Sequence, residues 1–521
     1  MHKTVAVIGH VDHGKTALVK ALTGTDTDRL EEERKRGLSI VLGFASQPFS
    51  EGWLHFIDTP GHSDFIQTAA MGLSGADAVL LVVDSIEGPS HQTVEHLKLA
   101  QLFGIRDVVV ALSKTDLDRH RSNGNLADEI AELLREYGVA TTSIIACSSQ
   151  TMEGIDDLTS ALHGLLNSKR PHQSPERAFL PIDRVFSAEG VGTVVTGTLL
   201  GRSLSVDDEV IAQPTETTCS VRGLQIAGRP AENATPGARV AVNVRGIKSQ
   251  NIRKGDVLCA PSLVKPARLF DVVLQAPTGG VRAIAHMEAV TVLYGTQHSP
   301  ARVRVLAKDN QDAIIGQVEF ETDQIGYSGQ RFVIRRPASF ETVCGGYILD
   351  AQATLAKRKK KQHVSVLQAA DKKDILQIAK AIAERDNGSV ALPLLSRLGQ
   401  RNVDECIPAI VPEFIMGANE IAYSVEQIQT VKAQIIETMK AFHQDRPLRP
   451  HAPSPSTNVI FSQSPKGLLH HAIQSLIDEN EIVARLDGFA IVAHDPIENF
   501  RSSQREIYDG ALEQLRRTGL M

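Results

Sequence analysis

The chain has 521 residues, 42% of them hydrophobic and 22% charged, with a formal net charge of -6. This is ordinary globular usage over a length of several domains, and the negative balance excludes a uniformly basic nucleic-acid coat, so any RNA binding has to come from local basic patches. The five cysteines, at 147, 219, 259, 344 and 406, form no CxxC pair, which argues against a disulfide framework or a structural zinc site and suits a reducing cytoplasm.

The N-terminus, Met1-His2-Lys3-Thr4, runs straight into a short apolar strand without the flanks of a signal peptide, and no apolar run is long enough to span a membrane. Over residues 1–170 the apolar runs Val5–Ile8, Leu54–Ile57, Val79–Val83, Val108–Leu112 and Ile144–Ala146 alternate with helical spacing in segments such as Ser90–Phe103 and Leu126–Tyr137. The alternation predicts βαβ units and a mostly parallel sheet. Pro171–Pro175 reads as a linker. Beyond it, short β-rich runs (Gly192–Leu200, Arg239–Val244, Ala301–Ala307, Arg331–Ile334) are separated by Gly, Asp and Pro turns. They predict two successive β-barrels, 177–262 and 266–355, joined near Ala260–Pro266. A basic run, Lys357 to Lys361, then opens a mostly helical region. Two compact units are expected there, 364–423 and 425–495. The second has an amphipathic helix Val425–His443, a Pro-rich connector Arg446–Pro455, a helix Lys466–Asn480 and a hairpin-like stretch Ile482–Val492, an order that fits a winged helix. The last piece, 496–521, carries an amphipathic helix from Glu506 through Arg517, with Gly519 as its cap.

Gly9-His10-Val11-Asp12-His13-Gly14-Lys15-Thr16 fits the pattern G-x-x-x-x-G-K-[ST], between an expected strand and an expected helix. Backbone N–H groups and a helix N-terminus suit phosphates. Lys15 then reaches the β- and γ-phosphates, and the Thr16 hydroxyl reaches a Mg²⁺ ion. Asp58-Thr59-Pro60-Gly61-His62 closes a later apolar run. There Asp58 can hold Mg²⁺ through water, and the Gly61 N–H can face the γ-phosphate. Ser113-Lys114-Thr115-Asp116 ends another run. The Asp116 carboxylate can accept from the guanine N1–H and exocyclic amine, a pattern adenine lacks, while the Lys114 stem covers the base. Cys147-Ser148-Ser149 follows a further strand and offers a backbone N–H to the guanine carbonyl. The cofactors expected are GTP or GDP with Mg²⁺.

These four elements, in this order, resemble the GTPase superfamily, and the GHVDHGKT and DTPGH wording resembles its translation-factor branch. The resemblance implies that His62 positions the attacking water. Two residues depart from the pattern. Ser113 stands where most GTPases have Asn, a residue that mainly buttresses the phosphate loop. Ser39, in Arg36-Gly37-Leu38-Ser39-Ile40, stands where the branch usually has Thr, and it keeps the hydroxyl for Mg²⁺. Asp28 through Ile40 resembles the first switch of the selenocysteine-specific elongation factors, and Pro181–Phe186 with Gly190–Thr198 resembles their tRNA-binding barrel. Asp183, Arg184 and Arg239 match that family's selenocysteine pocket. A selenol is more acidic than a thiol, so two guanidinium groups would favour its anion over serine or cysteine. Asp183 could orient an arginine or take the aminoacyl amino group. Arg331–Pro337, Thr342–Gly346, Phe442-His443 and Pro447–Pro450 also resemble the family.

The resemblance implies an α/β P-loop GTPase domain, two β-barrels and a C-terminal winged-helix region. It implies a cytoplasmic monomer that delivers selenocysteinyl-tRNA to the ribosome at UGA codons and hydrolyses GTP there. A general carrier like elongation factor Tu and a GTP-gated RNA-binding regulator stay open, although the region after residue 355 argues against the first. Bacterial members typically carry two further winged-helix units that grip a recoding mRNA hairpin. Here that site is expected to be incomplete, with Lys357 to Lys361, Arg501, Arg505, Arg516 and Arg517 as the remaining basic candidates.

Overall fold

The computed structural model describes residues 1–27, 33, 39–117, 124–167, 175–188, 190, 192–278, 284–308, 313–337, 341–356 and 360–518. First-switch residues 28–32 and 34–38, linker residues 171–174, basic residues 357–359 and Gly519 lie outside the described residues. The chain divides into two units, Met1–Leu355 and Ala356–Met521.

The first unit begins with a six-stranded sheet of β1 (His2–Ile8), β2 (Gly43–Pro48), β3 (Trp53–Asp58), β4 (Ala78–Asp84), β5 (Asp107–Ser113) and β6 (Ala140–Ala146). Its spatial order is β2-β3-β1-β4-β5-β6, and all pairs are parallel except β2 with β3. Period-2 alternation between two buried faces explains why β4 is apolar from Ala78 to Val83. Val79, Leu81 and Val83 enter the core under helix His91–Leu102, while Leu80 and Val82 enter the opposite core with Leu18, Val19 and Leu158. Five of these strands contain the five apolar runs. β2 is not anticipated by the sequence, because Gly-Phe-Ala-Ser-Gln-Pro shows neither a continuous apolar run nor a clear alternation. It is an edge strand set by its pairing to β3. The phosphate-loop, DTPGH, Ser113–Asp116 and Cys147–Ser149 segments all follow strand carboxyl ends, the edge where open α/β sheets bind ligands.

Residues 177–262 form an eight-stranded sheet whose path runs from Phe179–Pro181 to Arg184–Ala188. Only Ile182 and Asp183 separate these two end strands, so the sheet curls around Leu180, Val195, Val221 and Val242, although no hydrogen-bonded ladder among the described residues closes it. The next six strands, Ala267–Gln275 through Thr342–Asp350, do close into a barrel around Phe270, Tyr294, Phe320 and Phe332. Leu293 and Val333 of this barrel join the core beneath helix His91–Leu102, which fixes the barrel against the GTPase sheet.

In the second unit, helix Ile375–Arg385, strand Ser389–Ala391, helices Leu392–Gly399 and Val403–Ile410, and strands Phe414–Met416 and Ile421–Ser424 follow in winged-helix order. The three strands form one sheet. Helix Val425–Asp445, helix Lys466–Asp478 and the hairpin Ile482–Arg485 with Gly488–Ile491 then enclose a core of Ile428, Ile435, Met439, Leu468 and Leu476. Helix Ser502–Arg517 follows and buries none of its residues. All five cysteines are buried and none is in a disulfide. No helix among the described residues is long and apolar enough to cross a membrane.

Candidate functional site

The phosphate loop follows β1 through Gly9, whose φ of 145° and close approach to Val82 exclude a side chain: a Cβ there would lie 2.3 Å from the Val82 carbonyl oxygen. Asp12 (φ 62°) and Gly14 (φ 86°) take left-handed backbone in the same turn, and helix Lys15–Thr23 starts directly after it. Lys15 is buried, and its Nζ donates to the carbonyls of Gly9 at 3.1 Å and His10 at 2.7 Å, so its ammonium lies within the loop. The DTPGH segment presses on this loop at Gly61, where a Cβ would meet Lys15 Nζ at 2.5 Å and the Val11 nitrogen at 2.7 Å. Only glycine permits that approach.

Asp58 ends β3 and is 1% exposed. Its Oδ2 accepts from the Thr16 hydroxyl at 2.8 Å, and Thr16 Oγ1 lies 3.2 Å from Ser39 Oγ. The three residues expected around Mg²⁺ are therefore assembled. Thr27, absent from the expected set, donates to the same Oδ2 at 2.7 Å.

Ser113 takes up the buttressing expected of that position. Its Oγ donates to the His13 carbonyl at 2.7 Å and lies 3.3 Å from the Val83 carbonyl. Lys114 adopts a left-handed φ of 59°, and its Nζ pairs with Asp84 Oδ2 at 2.8 Å. Burial pushes the Asp84 carboxyl up, but the Lys114 hydrogen bond and the Ile86 amide together hold it below the usual range, so it stays ionised. Asp116 is exposed beyond the end of β5, and Cys147 and Ser148 are fully buried. The Ser148 hydroxyl accepts from the Gln150 and Thr151 amides at 3.2 and 3.1 Å, which shapes that turn.

Two residues of helix His91–Leu102 also grip the loop, and neither is among the expected set. Gln92 Oε1 accepts from the Val11 amide, and His96 Nδ1 from the Gly9 amide, both at 3.2 Å. An imidazole accepts only when neutral, and burial together with the nearby Lys15 ammonium lowers the His96 pKa to about 3. In sequence these are ordinary helix residues. His62 is placed differently: its ring is 40% exposed, and Nδ1 accepts from the Asp64 amide at 3.2 Å. The ring is thus turned back on its own 3₁₀ turn.

Asp183, Arg184 and Arg239 come together at the face between the curled sheet and β2. Arg239 makes a bidentate pair with Asp183, at 2.5 and 2.9 Å, and Thr196 Oγ1 donates to the same carboxylate at 2.7 Å. Of the two roles open to Asp183, orienting an arginine is the one observed. The Arg239 guanidinium lies 3.2 Å from the Phe44 ring centroid and that of Arg184 4.7 Å, while Arg184 Nη2 donates to the Leu42 carbonyl at 2.7 Å. Phe44, on the unanticipated strand β2, is therefore a further wall. The adjoining cavity, lined by Leu42, Phe44, Met71 and Asp183 among others, holds about 50 Å³.

A phosphate loop, a buried hydroxyl–carboxylate cluster and a guanine-type strand end, carried on an α/β domain that packs on two β-domains, define a translational GTPase, an enzyme that hydrolyses GTP to GDP and phosphate. Residues 1–168 match the elongation factor Tu GTP-binding domain family. The chain is 30% identical over 505 residues to a selenocysteine-specific elongation factor of Desulfomicrobium baculatum, covering 93% of this chain and 78% of that protein. It is 33% identical over 390 residues to the factor of the same name from Escherichia coli (strain K12), covering 74% of this chain and 60% of that one. The crystal structure of a bacterial selenocysteine-specific elongation factor superposes with a TM-score of 0.78 at 25% identity, covering 97% of this chain and 83% of that one. The chain belongs to the selenocysteine-specific elongation factor family.

Ser113→Ala removes the hydroxyl that holds the His13 carbonyl. A neutral hydrogen bond contributes about 1 kcal/mol, so nucleotide affinity should fall about fivefold. Ser113→Asn should keep most of it. Equilibrium titration with a fluorescent guanine nucleotide measures both, and unchanged affinity in the alanine variant would remove Ser113 from the loop's support.

Proposed function

We propose that this chain binds selenocysteinyl-tRNA in its GTP state, carries it to the ribosome for incorporation at UGA codons, and releases it when GTP is hydrolysed. The observation that carries the reading is the Asp183–Arg239 pair stacked, with Arg184, on Phe44. Two oriented guanidinium groups beside a GTPase sheet suit an anionic selenolate better than a neutral hydroxyl or thiol. Family membership supports the tRNA and the ribosome as partners, and a cytoplasmic monomer fits that work.

In this reading the phosphates occupy residues Gly9–Thr16, and Lys15 exchanges its two carbonyl acceptors for β- and γ-phosphate oxygens. Thr16, Ser39 and Asp58 would hold Mg²⁺. The fit rests on their chemistry: two hydroxyls and a buried carboxylate are hard oxygen donors already gathered within hydrogen-bond distance. Bound there, the ion supplies neutralisation of phosphate charge. The Gly61 amide faces the γ-phosphate, and His62 turns from Asp64 to orient the attacking water. Water forms the new bond to the γ-phosphorus as the bond to the bridging oxygen breaks, and GDP leaves with inorganic phosphate. The protein mainly contributes positioning and charge. Asp116 and Lys114 hold guanine, with the backbone at Cys147 and Ser148 facing its carbonyl.

Three substitutions test these roles. Asp116→Asn replaces an acceptor with a donor, so GTP affinity should fall and xanthine nucleotide should be taken better; an unchanged GTP preference in competition binding refutes the assignment. His62→Ala should leave GTP binding intact but slow single-turnover hydrolysis on ribosomes at least about tenfold, around 1.4 kcal/mol of transition-state stabilisation. A parental rate would exclude His62 from placing the water. Arg239→Ala should cut the preference for selenocysteinyl- over seryl-tRNA roughly ten- to hundredfold, from a contact of about 1.5–3 kcal/mol. Equal losses for both tRNAs in the GTP state would show that Arg239 serves the fold or the common acceptor end instead.

A further inference from the structure

We infer that Thr27 is a positioning residue of the magnesium site, fixing the carboxylate of Asp58 and tying the leading flank of the first switch to it. The inference rests on the reading of Thr16, Ser39 and Asp58 as the magnesium-binding residues.

Four observations carry it. The Thr27 hydroxyl donates to Asp58 Oδ2 at 2.7 Å, the oxygen that also accepts from Thr16 at 2.8 Å. Thr27 is 4% exposed and Asp58 1%, so water does not compete for this bond, and a hydroxyl donating to a buried carboxylate is among the stronger hydrogen bonds. Space for Thr27 is made by the residue opposite: a Cβ at Gly43 would lie 2.6 Å from Thr27 Cβ and 3.2 Å from Asp58 Cβ. Gly43 is also the register partner of Asp58 in the β2–β3 ladder, so the strand pairing itself sets that fit. Finally, Thr27 immediately precedes the switch segment and Ser39 lies at its trailing end, and both ends meet the same cluster, Thr27 on Asp58 and Ser39 on Thr16.

The chemical consequence is specific. A carboxylate that binds a cation must keep its plane fixed, and a group hydrogen-bonded behind a metal ligand commonly changes metal affinity by about 10- to 100-fold when removed. Thr16 has a second task, since its hydroxyl oxygen would also hold the cation. In this inference Thr27 acts only through Asp58. The absence of its hydroxyl should therefore appear in the Mg²⁺ dependence of nucleotide retention rather than in the intrinsic nucleotide fit.

Thr27→Val keeps the shape and removes the donor, and Thr27→Ser keeps the donor. Release of a fluorescent GDP analogue from the full chain is followed across a Mg²⁺ titration and in excess EDTA, with thermal unfolding recorded for each variant. The Mg²⁺ concentration giving half-maximal slowing of release should rise about tenfold in Thr27→Val. Its release rate in EDTA should match the parent, and Thr27→Ser should behave as the parent. If Thr27→Val does not fold, Thr27→Ala is read the same way. An unchanged Mg²⁺ midpoint overturns the inference and leaves Thr27 as packing. Release accelerated equally with and without Mg²⁺ overturns it too, because the damage is then to the pocket at large. Absence of any Mg²⁺ dependence in the parent would instead sink the magnesium reading itself, and the inference with it.

Discussion

Asp58 is the point on which the GTPase domain turns. It is a carboxylate at 1% exposure at the end of a parallel strand, where an unsatisfied charge would be prohibitively costly. Its position at the carboxyl end of β3 brings together three stretches of chain that are distant in sequence: the start of helix Lys15–Thr23, the segment at Thr27 and, through Thr16, Ser39. The same strand end leads within three residues to Gly61, which is pressed on the phosphate loop. A single carboxylate thus registers the sheet, the loop and both flanks of the first switch against one another.

The phosphate loop is held from behind by groups that have nothing to do with phosphate. Ser113 fixes the His13 carbonyl, His96 the Gly9 amide and Gln92 the Val11 amide. They come from two elements, β5 and helix His91–Leu102, so the loop's shape records how both are packed around it. Ser113 shows how a departure from the common pattern is accommodated. A hydroxyl is shorter than an amide, but β5 runs close enough for it to reach the His13 carbonyl at 2.7 Å.

Strand β2 extends this frame to the second site. Within two residues it passes from Gly43, packed against Thr27 and Asp58, to Phe44, which lies beneath both arginines. The aromatic face favours the guanidinium planes, and the bidentate carboxylate of Asp183 fixes the direction of one of them. The cluster of Asp183, Arg184 and Arg239 therefore is not a property of the curled sheet alone. One of its walls belongs to the domain that binds the nucleotide.

The sequence by itself determined the sheet's parallel strands, the succession of β-domains and helical tail, and the residue types of the nucleotide site. These are readable because apolar periodicity and glycine-bearing loops are local: a buried parallel strand is apolar on both faces, and the phosphate turn has glycine at Gly9, where a side chain would clash. It also placed Asp183, Arg184 and Arg239 in one set, through likeness to a family whose pocket carries the same residues. What only the tertiary structure decided is whatever depends on a partner far along the chain. Strand β2 exists through its pairing with β3. The first β-domain curls without closing its ladder. His96 and Gln92 look like ordinary helix residues until the helix is laid against the phosphate loop. Thr27 and Phe44 carry no signal of their own, because a hydroxyl or a ring acquires a role only from the charged group that folding sets within hydrogen-bonding or stacking distance of it.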